Sequence, residues 1–550
     1  MLDQHIKQTS TTSWWDGCGN EPETGDRAFY DAIRQIARPV YLVGKAGQRA
    51  ASNSGVAHLG MDSPRNESGK PLLAYAPPVM PEAFGDPVFK ADHGLRYAYL
   101  AGAMANGITS VKMVSKMGRA GMMGFFGAAG LALSEIERAI HDLKSSLGDN
   151  PFGLNLIHSP YDPALEAGTV DMYLAHNIRR ISAAAFMDIT LPLVRYRLAG
   201  IHRNGQGDVV CPNRVIAKVS RIEVAEKFFS PPPEKHLSEL LRQGIITQEA
   251  AALAANIPVA DDLTAEADSG GHTDNRPAIS LLPTLLALRD TLSEKHHYKR
   301  PLCVGLGGGI ATPAAAAAAF AMGAAYVLTG TINQACVEAG TSDTVRQMLA
   351  EARQADVIMA PAADMFEMGI KVQVLKRGTM FPLRAAKLYE LYCSCDSVDQ
   401  IPASHRAVLE RDYFRQSIDS EWEQTRQFFD IRDPKQLDRA ASDEKHKLAL
   451  LFRSYLGQSS MWAKSGDPSR KIDYQIWCGP AIGAFNEWTS GSFLEKPENR
   501  RVVTVAMNLL AGASVITRNN WLTAQGITLP PKAHRFAPMP LEDLQCLLEQ

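Results

Sequence analysis

Short runs of hydrophobic residues alternate with segments of helical periodicity through the middle of this 550-residue chain. A short apolar run bounded by turns is typical of a buried strand, and strands that alternate with helices predict a parallel sheet with right-handed crossovers. Eight strands over roughly 230 residues is the size of one (β/α)8 TIM barrel, so this α/β architecture is the predicted fold class. The predicted strands are residues 97–104, 122–126, 152–157, 180–186, 214–219, 262–266, 302–305 and 325–328.

The chain before the barrel has a different pattern. Residues 1–90 are rich in glycine and proline, and we predict an irregular N-terminal extension that packs on the barrel. The barrel itself is predicted to occupy residues 91–345. A run of three prolines interrupts it and introduces a helical insertion near residues 226–257.

Beyond residue 345 the strand pattern ends and helical periodicity takes over. A helical region of this size, residues 346–550, would wall one side of the barrel mouth and form a substrate pocket or lid. The predicted helices are residues 344–355, 381–392, 404–430, 435–455 and 499–511.

The overall composition excludes several classes of protein. The formal net charge of −2 removes the general case for nucleic-acid binding. No apolar run approaches the length needed to span a bilayer, so no membrane insertion is predicted, and the first 15 residues lack an apolar signal core. Eight cysteines are too few for a disulfide scaffold and predict a reducing, cytoplasmic location.

Two glycine-rich turns follow the last two predicted strands. The first is Gly305-Leu306-Gly307-Gly308-Gly309-Ile310 and the second is Thr329-Gly330-Thr331, with an alanine-rich helical stretch between them. Glycines let backbone N–H groups approach phosphate oxygens, and the last two βα units of a TIM barrel frequently hold a phosphate. The predicted phosphate contacts are Gly307, Gly308, Gly309, Gly330 and Thr331.

A Rossmann dinucleotide site is the main competitor for these turns. That fingerprint requires G-x-G-x-x-G and an acidic residue about 20 positions later. Here Ile310 stands at the third glycine position, and residues 324–333 contain no Asp or Glu. A turn that binds nothing is the plainer alternative, but two such turns in the correct order are harder to obtain by chance than one.

Other candidate side chains lie where the predicted strands end, which is where TIM barrels carry their chemistry. Small residues around Ala103 and Met104 would let a flat ring rest on the backbone after the first strand. Asn155 and Lys218 follow the third and fifth strands and could stabilise the electron-rich end of a reduced flavin. This set suits flavin mononucleotide (FMN), although Asn155 could instead cap a helix and Lys218 could extend to solvent.

His272 is the candidate for proton chemistry. It follows the sixth predicted strand and is preceded by Gly270 and Gly271, so it could face a substrate over the flavin ring. A lone loop histidine is more often a polar surface residue, and the strand-end position is what favours a functional role here.

The remaining motifs are weaker. Cys393 and Cys395 have no second Cys/His pair at zinc spacing, so no metal site is predicted. The chain has neither the G-x-S-x-G elbow of α/β-hydrolases nor a P-loop. A basic cluster could dock an acidic partner or form a solvated helix face, and it consists of Lys371, Lys376, Arg377, Arg384 and Lys387.

Taken together, these motifs resemble one family. They are similar to the trans-acting enoyl reductases of polyunsaturated fatty acid and polyketide synthases (the PfaD type), within the wider superfamily of nitronate monooxygenases and FMN-dependent enoyl reductases. Residues 361–381 and 476–486 point to the narrower group. The barrel motifs that fit the wider superfamily are residues 101–107, 117–130, 151–156, 270–272, 305–310 and 329–334.

The resemblance implies that NADPH reduces FMN, that hydride passes to the β-carbon of an enoyl thioester, and that the α-carbon then takes a proton. His272 matches the superfamily's active-site histidine, which would either donate this proton or polarise the thioester. The resemblance also implies acyl carrier protein domains of a synthase as partners, and a homodimer. The residues it assigns to FMN are Ala103, Met104, Asn155, Lys218, Gly271, Gly307, Gly308, Gly309, Gly330 and Thr331.

The chain has no convincing carrier motif of its own. Asp396-Ser397-Val398 is the only match to a carrier attachment site, and it lacks the usual preceding glycine. We interpret this match as chance, so the acyl arm would come from another polypeptide. The basic cluster between Lys371 and Lys387 is the candidate docking site for that acidic carrier.

Two other functions fit the same residues. A nitronate monooxygenase would share the barrel, the flavin and the histidine but would consume oxygen and need no NADPH. A flavin-free scaffold that organises a synthase is the third possibility. The large helical region favours the enoyl reductase, because a long acyl chain needs a long pocket.

Overall fold

The N-terminal segment forms a sheet, so the prediction that it is irregular is wrong. The computed structural model describes residues 13–45, 48–60, 69–159 and 162–549, and it places an antiparallel six-stranded sheet in this segment. Alternate side chains such as Tyr41 and Val43 are buried together with Trp15 and Leu72, a period-two pattern that the flanking turn residues obscure. The strands are β1 (Ser13–Asp16), β2 (Glu23–Thr24), β3 (Val40–Lys45), β4 (Gln48–Ser52), β5 (Val56–Leu59) and β6 (Lys70–Ala76).

The next strands confirm the predicted TIM barrel. Eight parallel strands close on themselves in the order β10-β13-β14-β16-β17-β7-β8-β9, and two of the predicted strands have the observed bounds. The barrel strands are β7 (Tyr99–Ala101), β8 (Met123–Phe126), β9 (Gly153–Ile157), β10 (Arg180–Ala184), β13 (Arg214–Val219), β14 (Asp262–Glu266), β16 (Cys303–Gly307) and β17 (Val327–Thr329). Three short strands interrupt them, namely β11 (His202–Arg203), β12 (Val209–Val210) and β15 (Gly271–His272).

Strands do not end at residue 345, which corrects the sequence prediction. β18 (Val357–Pro361) and β19 (Lys371–Leu375) form an antiparallel hairpin, and β19 also pairs with β15. In β19 the sequence K-V-Q-V-L has strand periodicity, but the hairpin is short and is followed by strongly helical segments. Its pairing with β15 brings the start of the C-terminal region to the barrel mouth.

Helices surround the barrel and make up most of the remaining C-terminal region, as predicted. The helices before and around the barrel are α1 (Asp26–Arg34), α2 (Pro87–His93), α3 (Val111–Arg119), α4 (Leu133–Leu147), α5 (Pro163–Ala175), α6 (Leu191–Leu198), α7 (Ile222–Phe229), α8 (Glu234–Arg242), α9 (Gln248–Ala254), α10 (Ala278–His296), α11 (Pro313–Ala321), α12 (Thr331–Gln334) and α13 (Asp343–Ala350). Those beyond the hairpin are α14 (Phe381–Ser394), α15 (Ala403–Val408), α16 (Ile418–Arg432), α17 (Pro434–Ala440), α18 (Glu444–Ser465), α19 (Ala481–Thr489), α20 (Val502–Ala524) and α21 (Leu541–Glu549).

Helix α20 is longer and more apolar than predicted. Within the described residues it is the one helix long and apolar enough to cross a bilayer, so the statement that no apolar run approaches that length is wrong. Its most apolar window is 83% buried inside the protein, as in the core helix of a globular fold. Arg518 near its end donates to the backbone carbonyls of Gln35 and Arg38, both at 2.7 Å, and so ties α20 to the N-terminal segment.

The unusual polarity of the sixth barrel strand has a structural cause. Asp262 at the start of β14 is fully buried and contacts His93 Nε2 at 2.9 Å and Arg300 Nη2 at 3.1 Å. The preceding Asp261 accepts from Arg197 Nη2 at 2.7 Å. Burial alone would raise the pKa of Asp262, but Arg300 and His93 outweigh it and hold that pKa below its usual value. These charges lie at the end of the barrel opposite the mouth, where buried networks serve stability rather than chemistry.

We expect Asp262→Asn to lower the free energy of unfolding by about 3–5 kcal/mol, because it leaves buried His93 and Arg300 short of a counter-charge. Chemical denaturation measures the change. Asp399→Asn, at a side chain that is 95% exposed, is the matched control and should change stability by less than about 0.5 kcal/mol. Equal effects of the two substitutions would contradict a stabilising role for the network.

Candidate active site

His272 lies at the barrel mouth on β15 and meets a residue from beyond the barrel. β15 pairs with β19, so that His272 stands opposite Val372. The loop of residues 362–370 between β18 and β19 brings Asp364 Oδ1 to 3.1 Å from His272 Nε2. Both side chains stay partly open, at 43% and 55% exposed. The hairpin therefore supplies a carboxylate to the predicted active-site histidine.

This carboxylate determines the charge and tautomer of His272. Desolvation lowers the pKa of His272, but the hydrogen bond and charge of Asp364 outweigh it, and the pKa of His272 is raised above its usual value. The same contact outweighs burial and holds the pKa of Asp364 below its usual value. An ionised carboxylate only accepts hydrogen bonds, so the imidazole proton lies on Nε2. Nδ1 is then a bare acceptor in neutral His272 and a donor only in the charged form.

A hydrogen-bond network holds the loop that leads to His272. Asp268 Oδ1 accepts from Gln373 Nε2 and from Asn275 Nδ2, both at 2.8 Å. Gln373 Nε2 also donates to the Ser269 carbonyl at 2.8 Å. Because Gln373 belongs to β19 and is buried, the network fixes the loop to the same hairpin that carries Asp364.

The segment around Cys478 packs against this loop without room for a side chain. A Cβ on Gly270 would lie 2.7 Å from Cys478 Cα. Cys478 N donates to the Gln373 carbonyl at 3.3 Å, and Gly479 N donates to Thr331 Oγ1 at 3.1 Å. The C-terminal stretch therefore joins the histidine loop to the turn after β17. It also occupies the Thr331 hydroxyl, which leaves the backbone of Thr331 as the part available to a ligand.

The first glycine turn has the conformation that the sequence predicts. Gly308 and Gly309 have φ of 88° and 77°, a region that favours glycine. A Cβ on Gly308 would lie 2.7 Å from the Ala267 carbonyl group, so this turn touches the segment that leads to His272. Gly307 ends β16 and its carbonyl accepts from Ala267 N at 2.8 Å. By contrast, a Cβ on Gly309 or Gly330 would meet nothing within 4 Å, so space remains next to the backbone at both turns.

Lys218 is paired, which the sequence did not predict. It lies near the end of β13, and its Nζ is 2.6 Å from Glu266 Oε1 at the end of β14. Ser269 Oγ donates to the same carboxylate oxygen at 3.2 Å. The alternative that Lys218 extends to solvent does not hold, since its side chain is only 27% exposed.

Asn155 supports a loop and caps no helix. Its buried Oδ1 accepts from the backbone N of Ala128 at 2.7 Å and of Ala129 at 3.3 Å. The side-chain amide nitrogen is therefore the end that can donate elsewhere. Ala103 and Met104 are half-buried in the neighbouring loop after β7, where Met104 N donates to Thr109 Oγ1 at 2.9 Å.

The predicted basic cluster separates in the structure. Arg384 pairs with buried Asp473 and donates to the Asp412 carbonyl, so it is a structural residue. Lys387 pairs with Glu390 at 2.7 Å, and Arg377 lies 4.0 Å from Asp356. Lys371 and Lys376 are exposed at the two ends of β19, close to the histidine hairpin. Within the cluster, this pair alone fits a docking role beside the mouth.

Sequence reasoning missed Asp364, Glu266 and Gln373 as members of the site. Asp364 and Gln373 lie about 100 residues after His272, in a segment whose surroundings have helical periodicity. Their only signal is the short alternating pattern of β18 and β19. Glu266 makes the end of the sixth strand polar, and that polarity is the sign of its ion pair with Lys218.

One group away from the mouth could hold a metal ion. Among the described residues, Glu137 and His141 on α4 and His176 after α5 offer ligand atoms within 4.8 Å of one another. The group lies on the outer helical layer, and His176 Nε2 already contacts Glu137 Oε1 at 3.0 Å. It takes no part in the mouth, and the expectation of a metal-free active site stays a prediction.

Comparison with known families places this site in a class. Residues 90–392, more than half of the chain, match the nitronate monooxygenase family model. Residues 395–474 match the model of the inserted helical domain of [acyl-carrier-protein] S-malonyltransferase. The first match covers the barrel, the glycine turns, His272 and the β18–β19 hairpin, and the second covers helices α15 to α18.

Individual relatives narrow the class. The chain is 46% identical over 445 residues to a subunit of the polyunsaturated fatty acid synthase of Thraustochytrium sp. and 47% identical over 439 residues to polyketide biosynthesis protein PksE of Bacillus subtilis, covering 80% of this chain in each case. It spans 30% and 57% of the lengths of these two relatives. The enoyl reductase domain of MlnA from the macrolactin cluster of Bacillus amyloliquefaciens is 40% identical, with a TM-score of 0.77 over 80% of this chain and 99% of that domain.

The chain therefore belongs to the nitronate monooxygenase family, and within it to the enoyl reductases of polyunsaturated fatty acid and polyketide synthases. This confirms the family that the sequence motifs resemble.

Proposed function

We propose that this chain is an FMN-dependent, NADPH-consuming enoyl reductase that acts on enoyl thioesters carried by a separate acyl carrier domain. The observation that carries the proposal is the direct contact between the first glycine turn and the loop of His272, made where Gly308 meets Ala267. A cofactor phosphate at the turns would thus be bound beside the residue proposed to handle the proton.

The residues present fit FMN. Gly309 and Gly330 leave open space beside their backbones, and positive φ at Gly308 and Gly309 turns the chain as phosphate-binding loops require. The Asn155 amide nitrogen and the Lys218–Glu266 pair are placed at strand ends to contact the ring, with Ala103, Met104 and Gly271 around it. When bound, FMN supplies hydride transfer between the nicotinamide and the enoyl substrate.

His272 would handle the proton of this reaction. With Nε2 held by Asp364, charged His272 offers the Nδ1 hydrogen either to the substrate α-carbon or to the thioester oxygen. The raised pKa keeps more of the residue charged at neutral pH. Activity through either role therefore falls as the pH rises past the pKa of His272.

A nitronate monooxygenase is the second candidate, and one observation favours it. Neutral His272 presents a bare Nδ1, which suits a base that removes a carbon-bound proton. In that case activity would fall as the pH drops below the pKa of His272, the opposite direction from the reductase.

An anaerobic assay separates the candidates. A reductase would be bleached by NADPH, more slowly or equally by NADH, and reoxidised by a crotonyl thioester on a separately purified carrier. A monooxygenase would ignore the enoyl thioester and consume oxygen with a nitroalkane. A colourless protein that binds no added FMN would support the scaffold and contradict both. Light scattering on the same sample tests the proposed homodimer.

Carrier docking gives a further prediction. We expect Lys371→Ala/Lys376→Ala to raise KM for carrier-bound substrate about 3–10-fold, because rim charges steer an acidic partner. The KM for a short soluble thioester should not change. Lys116→Ala/Lys144→Ala, at exposed lysines on barrel helices, is the matched control. Equal effects on both substrates would show that the two lysines do not form a docking surface.

A further inference from the structure

Asp364 is held by a part of the chain that is separate from the barrel. The loop of residues 362–370 packs into a second hydrophobic core, built from the β18–β19 hairpin and helices α14 to α18. Phe366, two residues after Asp364, is fully buried there, with its ring 5.2 Å from that of Tyr392 and 6.3 Å from that of Phe452. His272 comes from the barrel side, so its contact with Asp364 joins two separately packed units.

The next residue of the loop is held by charge. Glu367 Oε1 lies 3.1 Å from Arg453 Nη1 and 3.7 Å from His446 Nδ1, both on α18. Arg453 also favours the ionised form of Asp364 and so contributes to its lowered pKa, although burial and His272 have larger effects. The loop is therefore anchored twice, by an aromatic ring in a core and by an ion pair at its edge.

We propose that Asp364 is the positioning residue of His272, and that α18 of the helical subdomain (residues 395–474) holds it in place through the Glu367–Arg453 pair. This inference rests on the proposed function, in which His272 handles the proton. The helical subdomain is then part of the catalytic apparatus of this family member as well as a covering of the mouth.

The charges around His272 set the expected size of the effect. Asp364 and Glu266 favour the charged imidazole, whereas Lys218 and desolvation disfavour it. Of these groups, Asp364 is the one that makes a hydrogen bond to the ring, so its removal should have the largest consequence. Without its carboxylate the proton is also free to move to Nδ1, and the tautomer is no longer fixed.

Histidine-labelled protein tests the proposal by NMR titration, with His272→Ala used to assign the signal. This readout needs no flavin, NADPH or substrate. We expect Asp364→Asn to lower the pKa of His272 by about one unit, which corresponds to a tenfold change in proton affinity. Arg453→Gln should lower it by a smaller amount, and Arg453→Lys should restore most of the loss.

The controls repeat the same chemical changes in the same subdomain. Asp399→Asn and Arg426→Gln alter exposed ion pairs and should leave the titration unchanged. Glu367→Gln tests the anchor without touching Asp364, and it should reproduce the effect of Arg453→Gln. In the active holoenzyme, the pH at which kcat/KM falls should move with the pKa of His272 in each variant.

An unchanged His272 titration in Asp364→Asn would overturn the positioning role. A shift in Asp364→Asn with none in Arg453→Gln or Glu367→Gln would overturn the part played by α18. Failure of the proposed function looks different, because the titration shifts would persist in a protein that does not reduce enoyl thioesters.

Discussion

Replacing His272 with alanine should reduce the turnover of an enoyl thioester by about 10²–10⁴-fold, the range typical for loss of a general acid. The reason is local, since His272 is the group at the mouth whose charge and orientation a carboxylate sets. Reduction of the flavin by NADPH should stay within about threefold of normal, because that step needs no proton from His272. Rapid-mixing experiments on the two half-reactions measure each effect separately.

His202→Ala is the matched control for this substitution, because His202 is exposed on the β11–β12 hairpin. It should leave both half-reactions unchanged. A His272→Ala variant that reduces the enoyl thioester at the normal rate would show that another group supplies the proton. Equal losses in both half-reactions would indicate damage to the flavin site.

Gly308→Ala should cause the second large effect, a loss of flavin binding. The new Cβ would lie within 2.8 Å of the backbone at Ala267 and Asp268, and φ at this position is 88°. The left-handed conformation costs an alanine about 1–2 kcal/mol, and the backbone clash forces the turn and the His272 loop apart. We expect at least about tenfold weaker FMN affinity, since about 1.4 kcal/mol corresponds to a factor of ten.

Gly207→Ala separates strain from the clash. Gly207 has φ of 82° and a Cβ there would meet nothing within 4 Å, on a hairpin far along the chain from the turns. It should cost a similar amount of stability while leaving the flavin content of the purified protein unchanged. Fluorescence titration with FMN on stripped protein measures both variants, and equal affinities would contradict a phosphate site at Gly308.

The barrel was predictable because its signals are local. Each strand is a short apolar run with a turn after it, and glycine turns after the last two strands are typical of a barrel that holds a phosphate. Even the polar sixth strand was placed correctly, although its acidic residues make sense only once Arg300 and His93 are seen beside Asp262.

The second half of the site was not predictable for the opposite reason. Asp364 approaches His272 only because β19 pairs with β15 across about 100 residues of chain, and no local pattern encodes that pairing. A single sequence also gives no sign that Thr331 and Gln373 bind the segment at Cys478, since that segment contributes backbone groups to both contacts. The N-terminal sheet was missed because its turn residues outweighed the alternation in its short strands.

The assignment of a flavin enoyl reductase is tested most directly by an anaerobic titration of the purified protein, followed by its absorption spectrum. We expect a bound flavin spectrum that NADPH bleaches and that one equivalent of an enoyl thioester on a separate carrier restores. A protein that shows no flavin spectrum even after incubation with FMN, or one whose reduced flavin is reoxidised only by oxygen, would contradict the assignment.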